Sequence, residues 1–104
     1  MEIEVKSIIG TENAIEREDA NKVEKFIIEA LQNNQVINVS FKGIKITTPS
    51  FLNVIVGDLF SNYTREQVDN LVKFSNYSKN TGELIEIIKN EAEKYFAERK
   101  NDNI

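Results

Sequence analysis

The chain opens on alternation. In Glu2-Ile3-Glu4-Val5-Lys6-Ser7-Ile8-Ile9, the apolar Ile3, Val5 and one of the paired isoleucines alternate with polar residues. A period of two predicts a strand with one wet face, here an edge strand over residues 2–9. Gly10 to Asn13 supplies turn chemistry. From 17 to 34 the period becomes helical. Ala20, Val23, Ile27, Ala30 and Leu31 recur at three- and four-residue spacing and predict a core-facing stripe, widened by Phe26 and Ile28. Glu16, Glu18 and Asp19 crowd the first turn, where the helix dipole favours negative charge.

Val36-Ile37-Asn38-Val39-Ser40-Phe41 is short and β-branched, and reads as a central strand. Residues 44–48 read as a connection. Pro49 then suits the first turn of a helix, with Thr48 as its N-cap. Phe51, Leu52, Val54, Ile55, Val56, Leu59 and Phe60 fill seven of the next ten positions. A helix this apolar on most sides is either deeply packed or keeps one apolar edge for a partner, and since one sheet face cannot easily bury so many residues, the surplus hints at a partner. Gly57 inside it costs about 1 kcal/mol, for which a close backbone approach is a reason. Thr64-Arg65-Glu66-Gln67 has capping-box spacing and predicts a single turn. Leu71 to Phe74 reads as a third strand. Asn80 is expected to cap a last helix striped by Leu84, Ile85, Ile87, Ile88, Ala92, Tyr95 and Phe96. Lys89, Lys94 and Arg99 with Glu91, Glu93 and Glu98 read as its charged outer face.

The predicted order is β-α-β-α-β-α. Strands alternating with helices imply a small α/β domain with a mostly parallel sheet of three to five short strands and helices mainly on one face. With 104 residues there is room for one domain, taken as 1–98, followed by a charged tail over 99–104 expected to fray.

Composition removes several chemistries. There is no histidine and no cysteine. That excludes thiol nucleophiles, disulfides, ordinary structural zinc and any serine–histidine mechanism within the chain. Single glycines at 10, 43, 57 and 82 make no phosphate-binding loop. The residues assemble no acid–base constellation and imply no cofactor or metal, which argues for a non-enzymatic protein. The net charge is −4, against a duplex-DNA binder. No apolar run approaches the ~20 residues of a membrane span, and the first residues lack a signal-peptide layout, so a cytoplasmic protein is expected.

Three segments resemble the STAS domain of anti-anti-sigma factors, and more closely the STAS-like family of bacterial and phage proteins. Glu16-Arg17-Glu18-Asp19-Ala20 is similar to the family's Arg-x-x-Ala opening of the first helix. The run from Val36 to Ile44 resembles its central strand. Thr47-Thr48-Pro49-Ser50-Phe51-Leu52, with Gly57 and Leu59, resembles its Ser-Ser-Phe-Leu opening of the second helix. The resemblance spans residues 14–75 and implies a regulator that binds a signalling partner, such as a histidine-kinase-like ATPase. In the better-known members a serine at this helix start is phosphorylated, which expels the partner. Phosphate at a helix start meets free N–H groups and adds about two negative charges.

Here Pro49 stands at the usual acceptor position, Thr48 replaces the preceding acidic residue, and Ser40 replaces an aspartate in the central strand. The candidate acceptors are therefore Ser50, Thr48 and Thr47. The candidate partner surface is Pro49, Ser50, Phe51, Asn53, Val54 and Asp58. Each also has an ordinary structural explanation: Thr48 as N-cap, Ser50 in a local backbone bond, Phe51 and Val54 as core, Asn53 and Asp58 as a solvated edge. Lys42 and Lys45, at the exit of the central strand, stand where parallel sheets often bind ligands. Two other functions fit the residues. One is an acidic mobile-element or phage protein that inhibits a host nucleic-acid-handling or defence enzyme. The other is a small-molecule or nucleotide-binding domain. A homodimer is compatible with all three.

Overall fold

The computed structural model describes residues 1–102, with side chains through Arg99. A parallel three-stranded sheet forms its centre, in the order β1 (Glu2–Glu4), β3 (Ile37–Ser40), β5 (Val72–Ser75). The central and edge assignments of the first two strands follow the expectation. The register sets Ile3, Val39 and Phe74 in one row across the sheet, with Ile37 beside Val72. Paired residues of a ladder share a face. This apolar face carries the helices: Ile37, Val39 and Val72 are buried in the core, and Ile3 and Phe74 pack against it. The opposite face holds the rows Glu2–Asn38–Lys73 and Glu4–Ser40–Ser75 and is polar throughout. Ser40 is buried there because its hydroxyl accepts from Asn76 Nδ2 at 2.9 Å and from the Lys42 N–H at 3.2 Å.

The first strand is shorter than its alternation predicts. It ends at Glu4, and helix α1 spans Val5–Ile9. Val5, Ile8 and Ile9 also satisfy helical spacing, so eight residues support both periods. In the helix Val5 is fully buried, and Gly10, at φ 74°, closes the turn with its N–H donating to the Lys6 carbonyl. Helix α2 (Arg17–Gln32) buries the five residues that its pattern selects, while Phe26 stays 39% exposed. The connection after β3 hides a second ladder. Strand β2 (Asn13–Ala14) pairs in parallel with β4 (Ile46–Thr47). Two residues are too few to show a period, so sequence reading treats both as loop.

Helix α3 covers Pro49–Ile55, and Val56 (φ −120°, ψ −61°) breaks it before a 3-10 helix over Gly57–Ser61. The predicted long helix is thus two pieces. Gly57 opens the 3-10 helix rather than sitting inside a long one, and no close backbone approach accounts for it: a Cβ there would lie 3.4 Å from Ile88 Cγ2, an ordinary side-chain contact. The Thr64–Gln67 capping box is formed, and it starts a seven-residue helix, α4 (Arg65–Leu71), rather than one turn. Helix α5 (Lys79–Asp102) begins earlier than the Asn80 cap predicts. Ser78 supplies the cap, accepting from the Thr81 N–H at 3.2 Å. The helix continues into the charged segment where fraying is expected; residues 103 and 104 lie outside the described residues. One residue of its supposed outer face belongs inside. Lys89 is 8% exposed, its ammonium 3.0 Å from Asp69 Oδ1.

Candidate functional site

The start of α3 is built by its neighbours in sequence and by the small β2–β4 ladder. The Thr48 N–H donates to the Ala14 carbonyl at 3.2 Å, which fixes the strand exit. The Thr48 hydroxyl then accepts from the Phe51 N–H at 3.3 Å, the N-cap bond expected of it. Thr47 lies in β4 opposite Ala14 and is half-buried. Ser50 is exposed, and among the described residues its hydroxyl has no hydrogen-bond partner. Of the three candidate acceptor hydroxyls, Ser50 alone is both accessible and unengaged in a bond.

The six candidate surface residues divide by helix geometry. At 100° per residue, Pro49, Asn53 and Ser50 fall on one arc, and all three are exposed. Phe51 and Val54 fall on the opposite side with Leu52 and Ile55, and are 0% and 2% exposed. Their place in the interface is therefore corrected: they are core residues. The surplus of apolar residues that suggested a docking edge is absorbed by α2 and α5, which enclose α3 more completely than one sheet face could. Asn53 and Asp58 border a shallow groove of about 400 Å³, whose far wall is α5 with Ala92 and Tyr95.

Asp58 also shapes the charge nearby. Glu24 of α2 has its pKa raised, first by burial and then by the Asp58 carboxylate, with Arg17 acting in the opposite direction. The lysines at the exit of the central strand are surface groups. Lys45 pairs with Glu12 at 3.4 Å, and the Lys6 side chain lies against Gly43, which adopts φ 80°.

Two apolar residues escape sequence reading. Ile46 is 50% exposed in β4 and Ile15, just past β2, is 39% exposed. Strand alternation puts Asn13 and Ile15 on the face away from buried Ala14, the side that Ile46 shares as partner of Asn13. Ile46 precedes Thr48 by two residues, and Ile15 follows Ala14, the residue that pairs with Thr47 and accepts from the Thr48 N–H. Their sequence signal is faint: a lone β-branched residue in a polar stretch, with no periodic partner.

A parallel α/β sheet covered on one face, with a capped helix start presented beside it, is the architecture of a STAS-like domain. The comparison with protein families agrees. The family model described as a STAS-like domain of unknown function matches residues 19–81, and the chain belongs to that family. No curated protein and no solved structure matches it. No helix among the described residues is long and apolar enough to cross a membrane.

Proposed function

We propose that this chain is a non-enzymatic interaction module that docks a signalling protein through the first turn of α3. The reading rests on one observation. An exposed arc of Pro49, Ser50 and Asn53 stands beside two exposed isoleucines, Ile15 and Ile46, that do not serve the core. Apolar anchors next to a small polar rim make a common docking composition. Ser50 is the candidate modification point. A phosphate there would add about two negative charges to the rim and weaken an apolar or acidic partner. A histidine-kinase-like ATPase is the partner that the family resemblance suggests.

The test is affinity capture from native lysate with ATP present, with mass spectrometry of the bait and its companions. Wild type should retain an ATPase or kinase-like protein. Asn53→Arg and Ile46→Asp should release it without loss of fold, and phosphate, where found, should sit on Ser50. A partner held equally well by both variants would overturn the docking face. Capture of a nuclease whose binding fades steeply with salt would favour the acidic-inhibitor function instead, because screening weakens exposed charge pairs far more than apolar contacts.

A further inference from the structure

We propose that β5 is a self-association edge, where two copies of this chain pair antiparallel about a two-fold axis at Phe74. A parallel ladder turns successive residues alternately toward and away from the neighbouring strand. The Ser75 carbonyl accepts from the Phe41 N–H at 2.9 Å, so it faces β3. The Phe74 N–H and C=O therefore face outward, where no strand lies among the described residues. Val72 also faces outward, but its N–H is already taken by the Val68 carbonyl at the end of α4. Phe74 is thus the strand residue that offers both its donor and its acceptor outward. A two-fold axis there lets both Phe74 peptides exchange N–H···O=C bonds, as self-complementary pairing requires.

The two sheet edges differ in charge. On β1, antiparallel self-pairing about Ile3 would set Glu2 opposite Glu4, a like-charge juxtaposition that guards the edge. On β5, the same operation sets Lys73 opposite Ser75, with no such clash. Beside β5 runs a groove of about 930 Å³ between the strand and α5. Its charges balance: Asp69, Glu83 and Glu86 against Lys73, Lys79 and Lys89. A chain with net charge −4 that meets its own copy here brings no excess charge to the contact. Tyr77 and Ile87, 44% and 50% exposed, supply apolar surface at the same groove. Asn76 turns the chain away at φ 57°, so the ladder is short and these side chains carry much of the contact.

Sedimentation equilibrium from micromolar to millimolar protein tests this, with amide exchange read at Phe74. The expected result is a monomer–dimer equilibrium with no larger species, and a Phe74 amide that exchanges about tenfold more slowly in the dimer. Phe74→Pro and Phe74→Leu form a matched pair. Both remove the ring, but only proline removes the outward N–H, at an edge position that tolerates it. Leucine should preserve the dimer and proline abolish it, with circular dichroism confirming that both fold. If the proline variant does not fold, the wild-type exchange measurement decides. A monomer at all concentrations, open-ended growth beyond the dimer, or association that leaves Phe74 exchange unchanged would each overturn the proposal.

Discussion

Lys89 Nζ lies 3.0 Å from Asp69 Oδ1, and this contact ties the long last helix to the end of α4. Arg65 completes the group, with Nε 2.9 Å from Asp69 Oδ2 and Nη2 3.3 Å from Glu86 Oε1. The lysine side chain is 10% exposed while its carboxylate partner is 43% exposed. The pair is therefore anchored on one side and screened on the other.

Removing the lysine separates its stem from its charge. Lys89→Ala should cost about 1–2 kcal/mol, since it loses buried methylenes and leaves Asp69 with Arg65 alone. Lys89→Met keeps the methylenes and should cost less than half as much. Urea unfolding measures both. Equal losses would show that the stem contributes nothing.

Two carboxylates should give pH effects of opposite sign. Burial pushes the Asp69 pKa up, but hydrogen bonds from Lys89 and Arg65, and their charges, outweigh it and hold the pKa below its ordinary value. A depressed native pKa stabilises the fold above the unfolded carboxylate value of about 4 and loses that stabilisation as pH falls through the native value. Asp69→Asn should therefore be less stable than wild type at neutral pH, with the gap closing in acid. Glu24 is raised, so its charged form destabilises the fold above its native pKa, and the penalty vanishes below about pH 4. Glu24→Gln should be the more stable protein at neutral pH and lose that advantage in acid. Thermal melts across pH read both curves.

Neighbouring residues of α3 should fail in different ways. Phe51→Ala empties a fully buried site and should cost about 3–5 kcal/mol. Asn53→Arg sits on the exposed arc and should change stability by no more than about 0.5 kcal/mol. Denaturant midpoints of the two variants check this. A destabilised Asn53→Arg would place that side chain in the packing instead.

Gly57 is a test of clearance. A methyl group there meets Ile88 at 3.4 Å and Asn53 Oδ1 at 3.7 Å, ordinary contact distances, and its φ is not positive. Gly57→Ala should be within about 0.5 kcal/mol of wild type. Gly57→Leu must displace α5 and should cost about 1–3 kcal/mol. Comparable losses for both would mean that the gap to α5 is narrower than described.

Long periodic segments were legible in the sequence. Helix α2 shows its five inward residues by spacing alone, and the β-branched run around Val39 marks the central strand. Short segments were not. Val5, Ile8 and Ile9 fit either period, and only packing selects the helix. The β2–β4 ladder depends on residues more than thirty positions apart and has no local signature. At the candidate site, Thr48 was readable as a cap because capping is local chemistry. The burial of Phe51 and Val54 depends on how tightly α2 and α5 enclose α3, which no local pattern reports. Lys89 misleads for a similar reason: a lysine between glutamates looks solvated until α4 brings Asp69 and Arg65 against it.

The sheet's polar face has an effect on how freely the sequence can drift. Glu2, Glu4 and Lys73 contribute nothing to the apolar layer, yet alternate along their strands with residues that do. Positions 2, 4 and 73 are therefore open to substitution without disturbing the fold. Ser40 is constrained, since two donors converge on its hydroxyl and a replacement without that oxygen strands both, and Asn38 and Ser75 are tied to each other, the Ser75 hydroxyl donating to Asn38 Oδ1 at 3.1 Å. A library randomised across this face should return nearly every residue at 2, 4 and 73, and a narrow set at 40. The domain can acquire a new surface on that side while its interior stays fixed.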